Sequence, residues 1–119
     1  APQWLLGADL HWPSSATGLA RLLFAPSSAE RPDALVIADD NFAQAALAGL
    51  MSEGVRVGSD LLVIAHANFP LAACSSLPVL HMGFDAVALL REAIARIATM
   101  RGGGTASPYF QPAGFADGA

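Results

Sequence analysis

Charge and cysteine are both scarce in this chain of 119 residues, and each shortage excludes a class of protein. Charged residues make up 13% of the chain and hydrophobic residues 54%, so a sizeable core can form and bulk disorder is not expected. All six basic residues are arginine, and the net charge is −4, so no basic cluster is available to grip nucleic acid directly. The one cysteine, Cys74, excludes an internal disulfide and a zinc site built of cysteines.

Long apolar runs are also missing. No run reaches the roughly 20 residues that span a membrane, and no charged segment followed by an apolar stretch marks a signal peptide. A cytoplasmic protein is therefore expected. Because the chain begins at Ala1 and not at Met, we expect it to be a piece of a longer protein.

The segment from Arg31 to Pro70 has the pattern of a βαβ unit. Its two apolar runs, residues 34–38 and 61–65, are typical of parallel strands covered on both faces. Small and apolar residues at helical spacing between them predict a helix from Phe42 that Gly54 ends. Ligands of such units bind at the carboxyl ends of the strands. The residues there are Asp39, Asp40 and Asn41 after the first strand, and His66, Ala67 and Asn68 after the second.

Further elements are predicted on either side of this unit. Before it, we expect a buried strand over residues 3–8 and a helix over residues 15–24 that Ser14 or Ser15 caps. After it, we expect a short edge strand at residues 77–81 and a helix over residues 83–100. A tail from about residue 102 ends in an edge strand or a loose segment. The alternation predicts an α/β fold, a three-layer parallel sheet flanked by helices.

The acidic pair Asp39 and Asp40 has three interpretations. One carboxylate caps the following helix, one contacts a ligand, or the two act as the acidic pair of a small hydrolase or phosphotransfer domain. A phosphotransfer domain of the receiver type also requires a lysine on a later strand end, and the chain has no lysine. The spacing of the three histidines matches no metal motif, so no metal and no cofactor are expected.

Four ordered segments carry a family resemblance: PDALVIADD, NFAQAALAGL, GVRVGSD and LLVIAHAN. They resemble the effector-binding domain of LacI/GalR-type transcription regulators, which has the type I periplasmic-binding-protein fold. The matching family segments are a Pro-Asp-Ala-Ile strand, an Ala-Asn-Asp turn with its helix, a Gly-x-x-Val-Pro-x-Asp connector and a Gly-Phe-Asp-Asp strand end. Weaker similarity extends in both directions.

The resemblance implies a sugar or nucleobase-like ligand held between two subdomains, of which residues 1–119 form the C-terminal one. By position, Trp12 would stack on the ligand and Asp39 would take the place of the family's polar contact. An aromatic face with carboxylate and amide groups suits a sugar or a related small molecule. The ligand-binding candidates are Trp12, Asp39, Asp40, His66 and Asn68. The chain departs from the family at residues 65–68, which lack the carboxylate of the Gly-Phe-Asp-Asp turn.

The resemblance also implies partners. The N-terminal subdomain, the DNA-binding headpiece and the first βα unit of this subdomain would precede Ala1. The headpiece would be a LacI helix-turn-helix or a GntR winged helix. Without that βα unit, strand edges and apolar helix faces stay open, so a dimer or a higher oligomer is expected. The candidate interface residues are Phe42, Gln44, Ala45, Ala48, Cys74 and Ser75.

Three functions of different classes follow from these observations. The first is the ligand-sensing and dimerisation module of a LacI-like transcription regulator, which is not an enzyme. The second is a periplasmic sugar-binding protein of a transport system, and the third is the hydrolase or phosphotransfer domain. Since half of the implied cleft lies outside the chain, no tight sugar binding by these 119 residues alone is expected.

Overall fold

Three α-helices and four strands form the part of the chain that the computed structural model describes, residues 5–25, 31–71 and 75–116. A short 3-10 turn, Asp40–Phe42, leads into the second helix. The elements are α1 Ser15–Phe24, β1 Ala34–Ile37, α2 Ala43–Ser52, β2 Leu62–Phe69, β3 Leu80–Asp85, α3 Ala86–Arg101 and β4 Gly114–Phe115. The predicted α/β class is confirmed.

The four strands form one sheet in the order β1-β2-β3-β4. The first three are parallel, and β4 pairs antiparallel with β3, so the sheet is mixed. Val36, Ile64 and Leu80 lie side by side across the parallel strands. Among the described residues, β1 has β2 as its single neighbour and forms one edge of the sheet.

The core lies between the sheet and the pair α1/α2. Alternate residues of β2, Val63, Ala65 and Ala67, are buried, as expected where one face of a strand is covered. The two helices approach closely at Gly49, where a Cβ atom would lie 2.5 Å from the carbonyl oxygen of Thr17. The Thr17 hydroxyl donates to the carbonyl of Ala45 at 2.9 Å and joins the helices. The buried apolar residues of the two helices include Ala16, Ala20, Phe24, Ala46, Leu47 and Leu50.

In the described residues, the opposite face of the sheet is open, and no helix forms the predicted third layer there. Val36 is 63% exposed there, and Leu62 and Met82 are exposed on the same face. Helix α3 begins at the residue after β3 and has no buried residue. The molecule is correspondingly elongated, 61 Å along its longest axis. The spacing of apolar residues in α3 predicts an apolar helix face, but it does not specify which surface that face packs against. The predicted third layer therefore differs from the observed arrangement.

Several predicted bounds need correction. The predicted strand at residues 3–8 is absent from its described part, residues 5–8, where Leu5 is 88% exposed. Among the described residues, β1 has a hydrogen-bonded neighbour only in β2. The strand predicted at residues 77–81 is shifted to β3, Leu80–Asp85, and is internal because β4 borders it. The helix predicted from residue 83 begins at Ala86.

The helix predicted over residues 15–24 and its neighbour α2 are found as expected. Helix α1 spans Ser15–Phe24, although Ser14 at its N-cap makes no side-chain capping bond. Helix α2 ends at Ser52, and Gly54 adopts the left-handed φ of 73° that the chain needs to leave the helix. In the described part of the chain, no helix combines the length and the apolarity that crossing a membrane requires.

Candidate functional site

Asp39 lies at the carboxyl end of β1 and caps the turn that follows. Its Oδ1 accepts from the backbone N–H of Asn41 at 2.9 Å and from the Asn41 side-chain amide at 2.8 Å. The backbone bond from Asn41 is the main cause that lowers the pKa of Asp39 below its ordinary value of 3.8, and the nearby His66 lowers it further. The carboxylate therefore stays charged at neutral pH.

Asp40 and Asn68 join the ends of β1 and β2. The Asn68 side-chain amide donates to Oδ2 of Asp40 at 2.9 Å, over 28 residues of chain, and both side chains are partly buried. This bond holds the Asp40 and Asn68 side chains, both predicted as ligand-binding candidates, next to each other. It also occupies the Asp40 carboxylate, so the acidic pair is held by two asparagines: Asp39 by Asn41 and Asp40 by Asn68.

His66 differs from its prediction. It was expected in a loop after the second strand, but β2 continues to Phe69 because it pairs with β3 over residues 64–69. The half-buried His66 ring stands on the open face of the sheet with its centre 5.5 Å from that of Phe84, at a tilt of 58°. Phe84 was not predicted as a site residue, because the strand that contains it was predicted to begin three residues too early.

Trp12 stands apart from this strand-end cluster. It closes a turn in which its N–H donates to the carbonyl of Asp9 at 2.9 Å, and its side chain is 69% exposed. Asp39 and Trp12 share neither a described hydrogen bond nor a described cavity. The structure thus brings together Asp39, Asp40, His66 and Asn68, and leaves Trp12 in solvent.

The cluster is acidic and has no arginine in its described contacts. Arg21, Arg56 and Arg96 pair instead with Glu53, Asp60 and Glu92, away from the strand ends. Among the described residues, no three histidine, cysteine or acidic side chains are placed to hold a metal ion. The cluster can donate and accept hydrogen bonds and favours neutral or cationic ligand groups.

An apolar cavity of about 250 Å³ lies next to the cluster, along the free edge of β1. Asp39 and Phe42 line one end of it, and Leu19 and Leu23 of α1 line one wall. This cavity has no signal in the sequence, because no local pattern predicts that the segment around Leu5 stays off the sheet.

The predicted interface residues do not all lie on one surface of the structure. Gln44, Ala48 and Ser75 line a second groove of about 260 Å³ between α2 and residues 75–81. Ala45 does not line this groove; it packs partly buried against the core, and its backbone carbonyl accepts from the Thr17 hydroxyl of α1. Phe42 packs partly against the core and lines the first cavity. Cys74 lies outside the described residues.

Residues 5–112 match the model of the periplasmic binding protein-like domain. The match covers most of the chain, and the chain belongs to this family. The parallel pairing of β1 with β2, with polar residues at the ends of both strands, agrees with that assignment.

Curated relatives agree with the resemblance seen in the sequence. The HTH-type transcriptional repressor PurR of Aliivibrio fischeri strain MJ11 is 33% identical over 100 residues, 78% of this chain and 29% of the repressor. PurR of Aliivibrio fischeri strain ATCC 700601 / ES114 matches with the same identity and coverage. The chain thus spans under a third of the length of these relatives. Both are named as transcriptional repressors, and the predicted resemblance to a LacI-type effector-binding domain is confirmed.

Proposed function

We propose that this chain is the ligand-sensing and dimerisation module of a LacI-type transcription regulator in the cytoplasm. The observation that carries the proposal is the family match over residues 5–112 together with the polar cluster at the ends of β1 and β2. DNA would be contacted only by a headpiece outside this chain, since the chain itself is acidic.

The strand-end cluster would form one wall of a cleft between two subdomains. A ligand that contacts both walls favours the closed arrangement, because it gains contacts there that the open one lacks. Closure then changes the spacing of paired headpieces, and the size of the switch equals the difference in ligand affinity between the two arrangements. No catalytic step is needed.

The ligand would be a sugar or a related neutral small molecule. Asp39 is charged, partly exposed and held in place by Asn41, so it can accept hydrogen bonds from paired hydroxyl groups. His66 offers a further donor or acceptor beside the aromatic ring of Phe84. An anionic ligand would face an unneutralised carboxylate and is disfavoured.

The dimer would use the groove between α2 and residues 75–81. Gln44 and Ala48 are exposed there, and Leu47 beneath them is buried in the core, so the surface is backed by rigid packing. Small exposed residues on a helix permit close approach of a second copy.

The reading frame that encodes this chain provides the first test. A helix-turn-helix or winged-helix segment upstream of Ala1 is the expected result. A signal peptide upstream would instead support a periplasmic sugar-binding protein of a transport system, and would overturn the proposal.

A titration with galactose, followed by amide chemical shifts, tests the site. With one wall present, we expect a dissociation constant of millimolar order, about −4 kcal/mol, and shifts concentrated at residues 39–41 and 66–68. Asp39→Ala should abolish these shifts, and Asp33→Ala, at the other end of β1, should leave them unchanged. Micromolar affinity would contradict the one-wall cleft, and shifts that survive Asp39→Ala would contradict the site.

A further inference from the structure

The carboxyl ends of the three parallel strands place an aromatic ring beside the polar cluster. Phe84 is the second-last residue of β3 and pairs in register with Asn68 of β2. The Asn68 side chain in turn bonds to Asp40 after the end of β1. Asp40, Asn68 and Phe84 therefore form a row across the carboxyl ends of the strands, which is where parallel α/β sheets bind their ligands.

The backbone fixes the face on which the Phe84 ring lies. Gly83, the residue before it, is buried, and a Cβ atom there would overlap the carbonyl oxygen of Ala67. Because side chains alternate along a strand, Phe84 is directed to the open face. His66 lies on that face as well, and the two ring centres are 5.5 Å apart at a tilt of 58°, a favourable geometry for an aromatic pair. The Phe84 ring is thus held in place and only partly buried.

The other aromatic candidates near the cluster are placed differently. Trp12 was expected to stack on the ligand, but its side chain is 69% exposed and makes no described contact with the row. Phe42 packs partly against the core on the side of α1 and α2. The row therefore obtains its aromatic surface from β3, a strand for which no ligand contact was predicted.

The dimensions of the row suit one sugar ring. Neighbouring strands lie about 4.8 Å apart, so roughly 10 Å separates the ends of β1 and β3 across β2. A sugar ring fits this span when its C–H groups contact Phe84 and its hydroxyls on the far side donate to Asp39 and Asp40.

We propose that Phe84, supported by His66, is the aromatic wall of the ligand site and selects a closed sugar ring over an open-chain polyol. The inference rests on the proposed sugar-sensing function and names a residue that sets its specificity. A closed sugar ring presents a fixed face of C–H groups that an aromatic ring can cover. An open-chain polyol with the same hydroxyls has no such face and keeps only the hydrogen bonds to the carboxylates.

Galactose and galactitol test the proposal, because galactitol is the open-chain polyol with the same hydroxyl configuration. Each is titrated into the 119-residue chain and followed by amide chemical shifts. Galactose should bind more tightly than galactitol. Phe84→Leu should weaken galactose about threefold to tenfold and change galactitol by less than about twofold. Phe84→Tyr, which keeps the ring, should retain the preference for galactose.

Phe115→Leu is the matched control. Phe115 pairs with Met82 on β4 and is 52% exposed, so this variant removes a ring from the same sheet but away from the row. Both affinities should stay at their wild-type values. Circular dichroism checks that all variants are folded.

A fluorine label tests the ring without removing it. The label is 4-fluorophenylalanine at Phe84, in the protein that the complete reading frame encodes. Its fluorine resonance should shift when water is replaced by heavy water, and should move on addition of galactose. A resonance that heavy water does not shift before sugar is added would mean that another part of the protein covers the ring, and would overturn the proposal.

The titrations can contradict the proposal in three further ways. Equal losses of galactose and galactitol affinity in Phe84→Leu would mean that Phe84 only supports the fold. An unchanged galactose affinity, with shifts still centred on residues 39–41 and 66–68, would remove Phe84 from the site and leave the proposed function standing. A wild-type chain that shows no galactose-dependent shift would overturn the proposed sugar site together with this inference.

Discussion

Single residues at the end of β1 illustrate what sequence could and could not predict. A carboxylate just before a helix predicts a cap, and Asp39 forms one with Asn41. The bond between Asn68 and Asp40 had no local signal, since it depends on how β2 lies beside β1. His66 was predicted wrongly for a related reason. The polar residues His66 and Asn68 favour a loop, but pairing with β3 keeps both in a strand.

The cap at Asp39 makes stability depend on pH. Removing it in Asp39→Ala should cost about 1 kcal/mol of unfolding free energy at pH 7. Because the folded pKa of Asp39 lies below its ordinary value of 3.8, the stabilisation is present above that value and disappears as pH falls through the folded pKa. The difference between wild type and Asp39→Ala, from urea unfolding at several pH values, should therefore shrink on acidification. Asp33→Ala is the control, and a difference that does not shrink as the pH is lowered would contradict the account.

Two helical glycines should respond oppositely to alanine. A Cβ at Gly49 would lie 2.5 Å from the carbonyl oxygen of Thr17 and 2.9 Å from the Cβ of Ala20, so Gly49→Ala should destabilise by about 1–3 kcal/mol. A Cβ at Gly18 meets no atom within 4 Å, and Gly18→Ala should stabilise by about 0.5–1 kcal/mol. Equal midpoints of denaturation in the two variants would show that the helices are less closely packed than described.

At the scale of elements, local signals were sufficient where the element makes its own contacts. Helix α1 was predicted with its bounds, and α2 ends before Gly54 as expected. Strands were less predictable. The ends of β2 depend on where β3 lies, and the ends of β3 depend on β2, because residues 64–69 pair with residues 80–85.

The stability of helix α3 depends on its N-terminal cap, because the helix buries no residue. The Asp85 carboxylate accepts from the N–H of Ala88 at 2.8 Å, and no residue of the helix is buried. Asp85→Ala should cost about 1 kcal/mol of local stability and lower the far-ultraviolet helical signal of dilute protein. Asp85→Ser, which keeps a capping oxygen, should restore most of it. An unchanged signal in Asp85→Ala would mean that packing supports α3 after all.

At the scale of the molecule, the sequence predicted the class of fold but not the shape. A compact chain of this length has a radius of gyration of about 13.5 Å, whereas the value here is 17.9 Å. The excess arises because α3 leaves the open face of the sheet uncovered. Whether a helix covers its own sheet depends on contacts between distant segments, which periodicity along the chain does not encode.

Small-angle X-ray scattering checks this shape directly. At low protein concentration, the chain should scatter with a radius of gyration near 18 Å, as the Cα coordinates give 17.9 Å. A value near 13.5 Å would mean that α3 packs onto the sheet in solution.

The free edge of β1 also has a consequence for hydrogen exchange. The N–H of Leu62 donates to the carbonyl of Asp33, so the main-chain groups of alternate residues, Leu35 and Ile37, point toward β2. Those of Ala34 and Val36 point away from the sheet. Neighbouring amides along these four residues should therefore exchange with deuterium at alternately slow and fast rates. The exchange rates along β1 would therefore identify which of its amides bond to β2 and which face the solvent.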